Sequence, residues 1–200
     1  MRPDRRVRDE YLGAFTRIAQ KVSAQLSAVN PKLLPIRLYV AGGAALHLRT
    51  GHRVSEDIDG TFSRRVVLDE EIQVAYKDAD GRARLLYLDR NYNDTLGLMH
   101  EHAYENSETV ELEAIDARVL EVRILSPLDL AVSKLARYSS QDREDLAVLA
   151  RENLIDSASL RKRAEQALGG YVGNLDSVRT SIDLACSLVR EVQERKRSRL

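Results

Sequence analysis

The 200-residue sequence predicts an α/β protein of the α+β type, a mixed sheet flanked by helices and followed by a helical C-terminal part. Three observations predict it. Apolar residues at helical spacing occupy the N-terminus; short β-rich runs bounded by turn residues fill the stretch from Ile36 to Leu125; from Ser126 onward only helical spacing remains. The expected division is residues 1–125 for an α/β core with its N-terminal helix and 126–200 for the helical part packed on it.

Taken in order, Tyr11, Leu12, Phe15, Ile18, Ala19, Val22 and Leu26 share one helical face, so the spacing predicts a helix from Asp4 to about Val29, stopped by Pro31 and Pro35. IRLYVA is a short buried strand closed by Gly42 and Gly43. AALHLRTG is a short helix ending at Gly51, and VSEDIDGTF is the next strand. EEIQVAYKDADGRARLLYLD reads as a hairpin turning at Asp78 to Gly81, and TVELEAI with RVLEVRIL as a second extended pair joined at Asp116 and Ala117. In SPLDLAVSKLARYSS, Ser126 is placed to cap a helix with Pro127 at its first position and Asp129 three residues on. DREDLAVLARENLI, SASLRKRAEQAL and LDSVRTSIDLACSLVREV predict three further helices, the last two separated by Gly169 and Gly170.

Composition narrows the function classes. A hydrophobic share of 44% with 31% charged residues describes a soluble globular chain. No apolar run is long enough to span a bilayer, and the charged start MRPDRRVRDE has no apolar signal region behind it, so the expected location is cytoplasmic, away from membranes. The 31 basic and 31 acidic residues cancel, which gives no global signature of a nucleic-acid binder. Basic clusters do stand at both ends, Arg2 to Arg8 and Arg195 to Arg199, as solvated ends or phosphate contacts. The single cysteine, Cys186, lies in a helical apolar pattern; it rules out an intramolecular disulfide and reads as a small buried hydrophobe.

The stretch AGGAALHLRTGHRVSEDID, from Ala41 to Asp59, carries the chemistry. Alternate residues of a strand share a face, so Asp57 and Asp59 project together while Ile58 points into the core. Two carboxylates on one face call for a cation between them. Mg²⁺, with Mn²⁺ as a substitute, is bound through one or two carboxylates and completes its shell with water and phosphate oxygens. Gly42 and Gly43 at the head of a helix let backbone amides approach a phosphate. Together these features describe a site for a nucleoside triphosphate (NTP); the plainer alternative is a turn followed by a solvated edge strand.

GGAALHLRTGHRVSEDID resembles the signature of the nucleotidyltransferase superfamily related to DNA polymerase beta, and more narrowly the AbiEii-like toxin nucleotidyltransferases and minimal nucleotidyltransferases. SPLDLAVSKLARYSSQDREDL resembles the later block of that family, a capped helix carrying a lysine followed by an acidic helix start, with Lys134 as the lysine and Asp142 and Asp145 as the acids. The resemblance runs from about Ile36 to Leu149. It implies NTP binding at Gly42, Gly43, Ala44 and Lys134, metal binding at Asp57 and Asp59, and catalytic roles for Asp57, Asp59, a third acid, Lys134 and Asp145. One departure is Ala44, where many superfamily members have Ser.

No motif marks the third acid. Asp89, which ends the apolar arm RLLYLD, is favoured; Glu113, on the next predicted strand with Glu111, is the reserve. Leu128, Ala131 and Leu135 lie on a different helical face from Lys134, leaving the lysine on a polar side that suits triphosphate oxygens. Asp142 also suits an N-cap with Asp145 completing the box. His100 and His102 lack a third zinc ligand at suitable spacing, and Tyr87, Tyr92 and Tyr104 read as core or rim residues, with base stacking as the alternative for an RNA acceptor. The resulting expectation is metal-dependent transfer of a nucleoside monophosphate, by a toxin acting on tRNA and neutralised by a cognate antitoxin. A small-molecule or protein acceptor and an inactive nucleotide-binding module are the alternatives.

Overall fold

The computed structural model describes residues 1–27, 29–68, 71–89 and 97–198. The chain divides into two compact units, Met1–Tyr92 with Ser107–Ile124 and Asn93–Asn106 with Leu125–Leu200.

Among the described residues the first unit holds two α-helices, α1 (Asp9–Leu26) and α2 (Gly42–Thr50), and six strands: β1 (Ile36–Val40), β2 (Asp57–Phe62), β3 (Gln73–Lys77), β4 (Ala83–Asp89), β5 (Glu108–Thr109) and β6 (Leu120–Ile124). They form one mixed sheet in the order β3-β4-β2-β1-β6-β5. β1 is antiparallel to β2 and parallel to β6, β2 is parallel to β4, and the outer pairs β3/β4 and β5/β6 are antiparallel.

Strand alternation sorts the two faces. Ile36, Leu38, Val40, Ile58, Val74, Leu86, Leu88, Leu120, Val122 and Ile124 are buried and, through the strand register, share one face. α1 lays its buried row of Tyr11, Ala14, Phe15, Ile18, Ala19, Val22 and Leu26 against β3, β4 and β6, and α2 packs on β2. Each Leu, Ile or Phe so buried stabilises the fold by about 1.5–3 kcal/mol. The opposite face is polar: Arg37 on β1 pairs with Glu121 on β6 at 2.9 Å.

Two predicted elements differ. α1 starts at Asp9 because residues 4–7 form a turn, in which the Asp4 carboxylate accepts from the Arg6 amide at 2.8 Å and the Asp4 amide donates to the Leu48 carbonyl at 3.0 Å. The second extended pair shrinks to the two residues of β5 against β6. Val110 still donates to the Val122 carbonyl at 2.8 Å, but beyond it the Glu111 amide turns to the Met1 carbonyl at 3.0 Å and Ala114 takes a positive φ of 58°. Glu111 and Glu113 therefore lie outside any strand.

The second unit is helical: α3 (Pro127–Ser133), α4 (Ser140–Arg151), α5 (Ser157–Ala167) and α6 (Leu175–Arg197). Each start has a side-chain cap, from Ser126, Ser139, Asp156 and Asn174. Leu130, Leu135, Leu146, Leu149, Leu160, Ile182 and Val189 fill its interior beside Cys186, whose thiol pKa is pushed up by burial. Among the described residues no helix is long and apolar enough to cross a membrane.

Candidate active site

Strand β1 enters α2 through Ala41, whose amide donates to the Asp59 carbonyl at 2.8 Å. Ala41 occupies the N-cap position and offers no capping side chain, so the amides of the first turn are not closed off as they are in α3 to α6. Gly42 has a φ of +59°, and a Cβ there would overlap Asp59 Oδ2 and lie 2.7 Å from its Cγ. Glycine is thus required twice over, by the backbone and by the carboxylate that lies against it. A Cβ on Gly43 would meet Arg53 Nη1 and Ser55 Oγ, each at 2.9 Å. The two glycines bring the helix start and the DID strand into direct contact.

The carboxylates occupy the polar face of the sheet. Ile58 is buried on the other side, while half-buried Asp57 and Asp59 stand in register with Tyr87 and Asp89 of the parallel neighbour β4. Residues in register across adjacent strands project to the same side, so Asp57, Asp59 and Asp89 form an acidic row with the Tyr87 phenol among them. Asp57 raises the Tyr87 pKa most, followed by burial, Asp89, Glu56 and Asp59. Asp57 is held by the Ser55 hydroxyl, which donates to its Oδ1. Among the described residues no three His, Cys, Asp or Glu side chains converge as a complete metal cage. The donor set fits Mg²⁺ in the manner typical of that ion, through two carboxylates with the remaining positions left to water and phosphate.

Beneath α2, buried His47 braces the loop that leads to β2. Its Nδ1 lies 2.7 Å from the His52 carbonyl, its Nε2 accepts from the Arg8 amide at 3.3 Å, and burial lowers its pKa. The Tyr11 ring meets it edge-on at 4.7 Å. Ser55, Arg53 and His47 escaped the sequence reading. Ser55, two residues before Asp57, had a signal in the strand period; His47 had none beyond its apolar neighbours.

Lys134, Asp142 and Asp145 belong to the helical unit. Lys134 is the C-cap of α3 and is buried at 6% exposure; the helix ends at Ser133 and the lysine turns toward the acids of α4. Its Nζ donates to Asp145 Oδ2 at 2.6 Å and lies 3.8 Å from Asp142 Oδ1. The cap of α4 is Ser139, not Asp142, and Asp142 completes the box from the third position because its carboxylate reaches back to the Ser139 amide at 2.9 Å. Burial alone would raise the Asp142 pKa, but hydrogen bonds from Arg137 and Ser139 and the charge of Lys134 lower it to about 2. Buried Asp129 pairs with Arg163 at 2.7 Å, an ion pair that the sequence did not suggest.

Ala44 is fully buried at the third position of α2. Glu113, outside any strand, lines a cavity of about 780 Å³ with Arg2, Asp9, Arg17 and Glu111, and is not on the face that carries Asp57 and Asp59. His100 and His102 lie at a run of turns rather than on an extended segment, with His102 Nδ1 2.9 Å from Glu105. Tyr104 is half-buried in the same turns, and Tyr92 lies outside the described residues. Tyr87 belongs to neither core nor rim but to the acidic row.

A family described as nucleotidyltransferase of unknown function, DUF6036, matches residues 17–182, which include α2, the acidic row and the Lys134–Asp145 pair. No curated protein and no solved structure matches the chain significantly. With most of its length matched, the chain belongs to this nucleotidyltransferase family.

Proposed function

We propose that the protein transfers a nucleoside monophosphate from an NTP to an acceptor hydroxyl with the help of a divalent metal. The observation that carries this reading is the fit of Gly42 against Asp59, which sets an uncapped helix start beside the acidic row of β2 and β4. Asp57 and Asp59 hold Mg²⁺ or Mn²⁺, and the amides at Gly42, Gly43 and Ala44 face phosphate oxygens with the positive end of α2. The metal, when bound, supplies Lewis-acid stabilisation of charge on the phosphates. Asp89, in register with Asp59, takes the proton of the acceptor hydroxyl. The hydroxyl oxygen bonds to the α-phosphorus as the bond from that phosphorus to the bridging oxygen breaks, and pyrophosphate leaves.

The likeness to AbiEii-like enzymes supports tRNA as acceptor, a toxin role and a cognate antitoxin as partner. The test is incubation with magnesium or manganese, each of the four α-labelled NTPs and separate RNA, protein and small-molecule fractions, with Asp57→Ala alongside. Label in tRNA-sized RNA that disappears with Asp57→Ala is expected. Label in protein or small molecules moves the acceptor to those classes, and equal labelling by Asp57→Ala refutes the assignment of the site.

A further inference from the structure

Once metal and helix start are assigned, the acidic row has one group without a role. Tyr87 stands directly opposite Asp57, one strand away, with its ring on the carboxylate face and half-buried. Parallel neighbours are spaced about 4.8 Å apart, so the phenol shares the space in front of Asp57 and Asp59. Among the described residues its side chain has no hydrogen-bond partner and no ring contact, whereas the Tyr11 ring meets His47 and Tyr76 edge-on. Leu86 and Leu88 on either side are buried in the core, so strand alternation alone holds Tyr87 on the polar face.

The chemistry of that face is one-sided. Ionised carboxylates only accept hydrogen bonds, and so do the oxygens of a triphosphate. Any phosphate oxygen entering the row beside the metal needs a donor, and the phenol hydroxyl supplies one at the level of Asp57. We propose that Tyr87 is a substrate-contacting residue whose hydroxyl donates to a phosphate oxygen of the bound nucleotide. The proposal rests on reading the acidic row as the NTP site. It concerns the hydroxyl, not the ring: a base-stacking platform would need only the aromatic face.

Calorimetric titration tests it, with magnesium and each of the four NTPs, in the absence of acceptor, on wild type, Tyr87→Phe, Tyr87→Leu and Asp57→Asn. Mn²⁺ binding without nucleotide is followed by electron paramagnetic resonance. Loss of one hydrogen bond to a charged group weakens nucleotide binding about tenfold or more in Tyr87→Phe. Mn²⁺ affinity and thermal unfolding should stay within error of wild type, which a purely structural role would not predict. Nucleotide affinity of Tyr87→Phe equal to wild type overturns the proposal. If Tyr87→Leu alone weakens binding, the ring is the contact and the hydroxyl assignment is equally overturned. Should Asp57→Asn lose nucleotide while Tyr87→Phe does not, this inference fails and the reading of the site survives. Wild-type affinity in Asp57→Asn, or no nucleotide bound by wild type, removes both.

Discussion

Replacing Gly42 with alanine probes the contact on which the site is built. Gly42 has a φ of +59°, where an alanine costs about 1–2 kcal/mol. Its Cβ would also overlap Asp59 Oδ2, so the carboxylate must leave its position at an added cost of about 0.5–1.5 kcal/mol for an off-rotamer side chain. Gly81 supplies the control: its φ is +76°, and a Cβ there meets nothing within 4 Å, so Gly81→Ala carries the backbone cost alone. At roughly 2–4 °C per kcal/mol for a chain of this size, Gly42→Ala should lower the unfolding midpoint by about 3–14 °C and Gly81→Ala by less, about 2–8 °C. Circular dichroism melts of the two variants measure the difference. In an Asp59→Ala background, where only a Cβ at 3.1 Å remains to be met, the excess cost of Gly42→Ala should largely vanish. Equal melting shifts for Gly42→Ala and Gly81→Ala would refute the argument that Asp59 lies against the glycine.

Three further outcomes are expected. Ser55→Ala removes the hydroxyl that holds Asp57 and should lower Mn²⁺ affinity by about 10–100-fold with the fold intact; unchanged affinity would mean that Asp57 needs no such support. Lys134→Met leaves buried Asp145 without its lysine while Asp142 keeps Arg137, and should cost about 3–5 kcal/mol in denaturant unfolding, part of it recovered by adding Asp145→Leu; no loss of stability would mean that the pair is solvated. The Asp142 pKa of about 2 lies below its ordinary value of 3.8, so the stabilisation is full above pH 4 and is lost as pH falls toward 2. Acid melts of Asp142→Asn should therefore lack about 2 kcal/mol of that dependence, and identical acid profiles would contradict the assignment.

Local patterns made much of this readable. The glycine pair, the short helix ending at Gly51 and the DID strand are each set by neighbours within a few residues, and they appear as α2 and β2. The alternation of Leu86 and Leu88 with Tyr87 and Asp89 was equally local, but which strand lies beside β4 is not, so the phenol's place opposite Asp57 was hidden. The burial of Lys134 was hidden for a related reason. Helical spacing assumes that the helix continues, whereas α3 ends at Ser133 and the buried carboxylates of α4 draw the lysine inward. The strand expected at Glu113 failed because the Met1 backbone competes for the amide of Glu111.

The proposed reaction leaves the α-phosphate of an NTP, and not the γ-phosphate, on the acceptor. Parallel reactions with α-labelled and γ-labelled NTP, with magnesium and the acceptor fraction that takes label, decide it most directly. Nucleotidyl transfer puts α-label on the acceptor and releases γ-label as pyrophosphate, both lost with Asp57→Ala. Retention of γ-label on the acceptor would make the reaction phosphoryl transfer and contradict it.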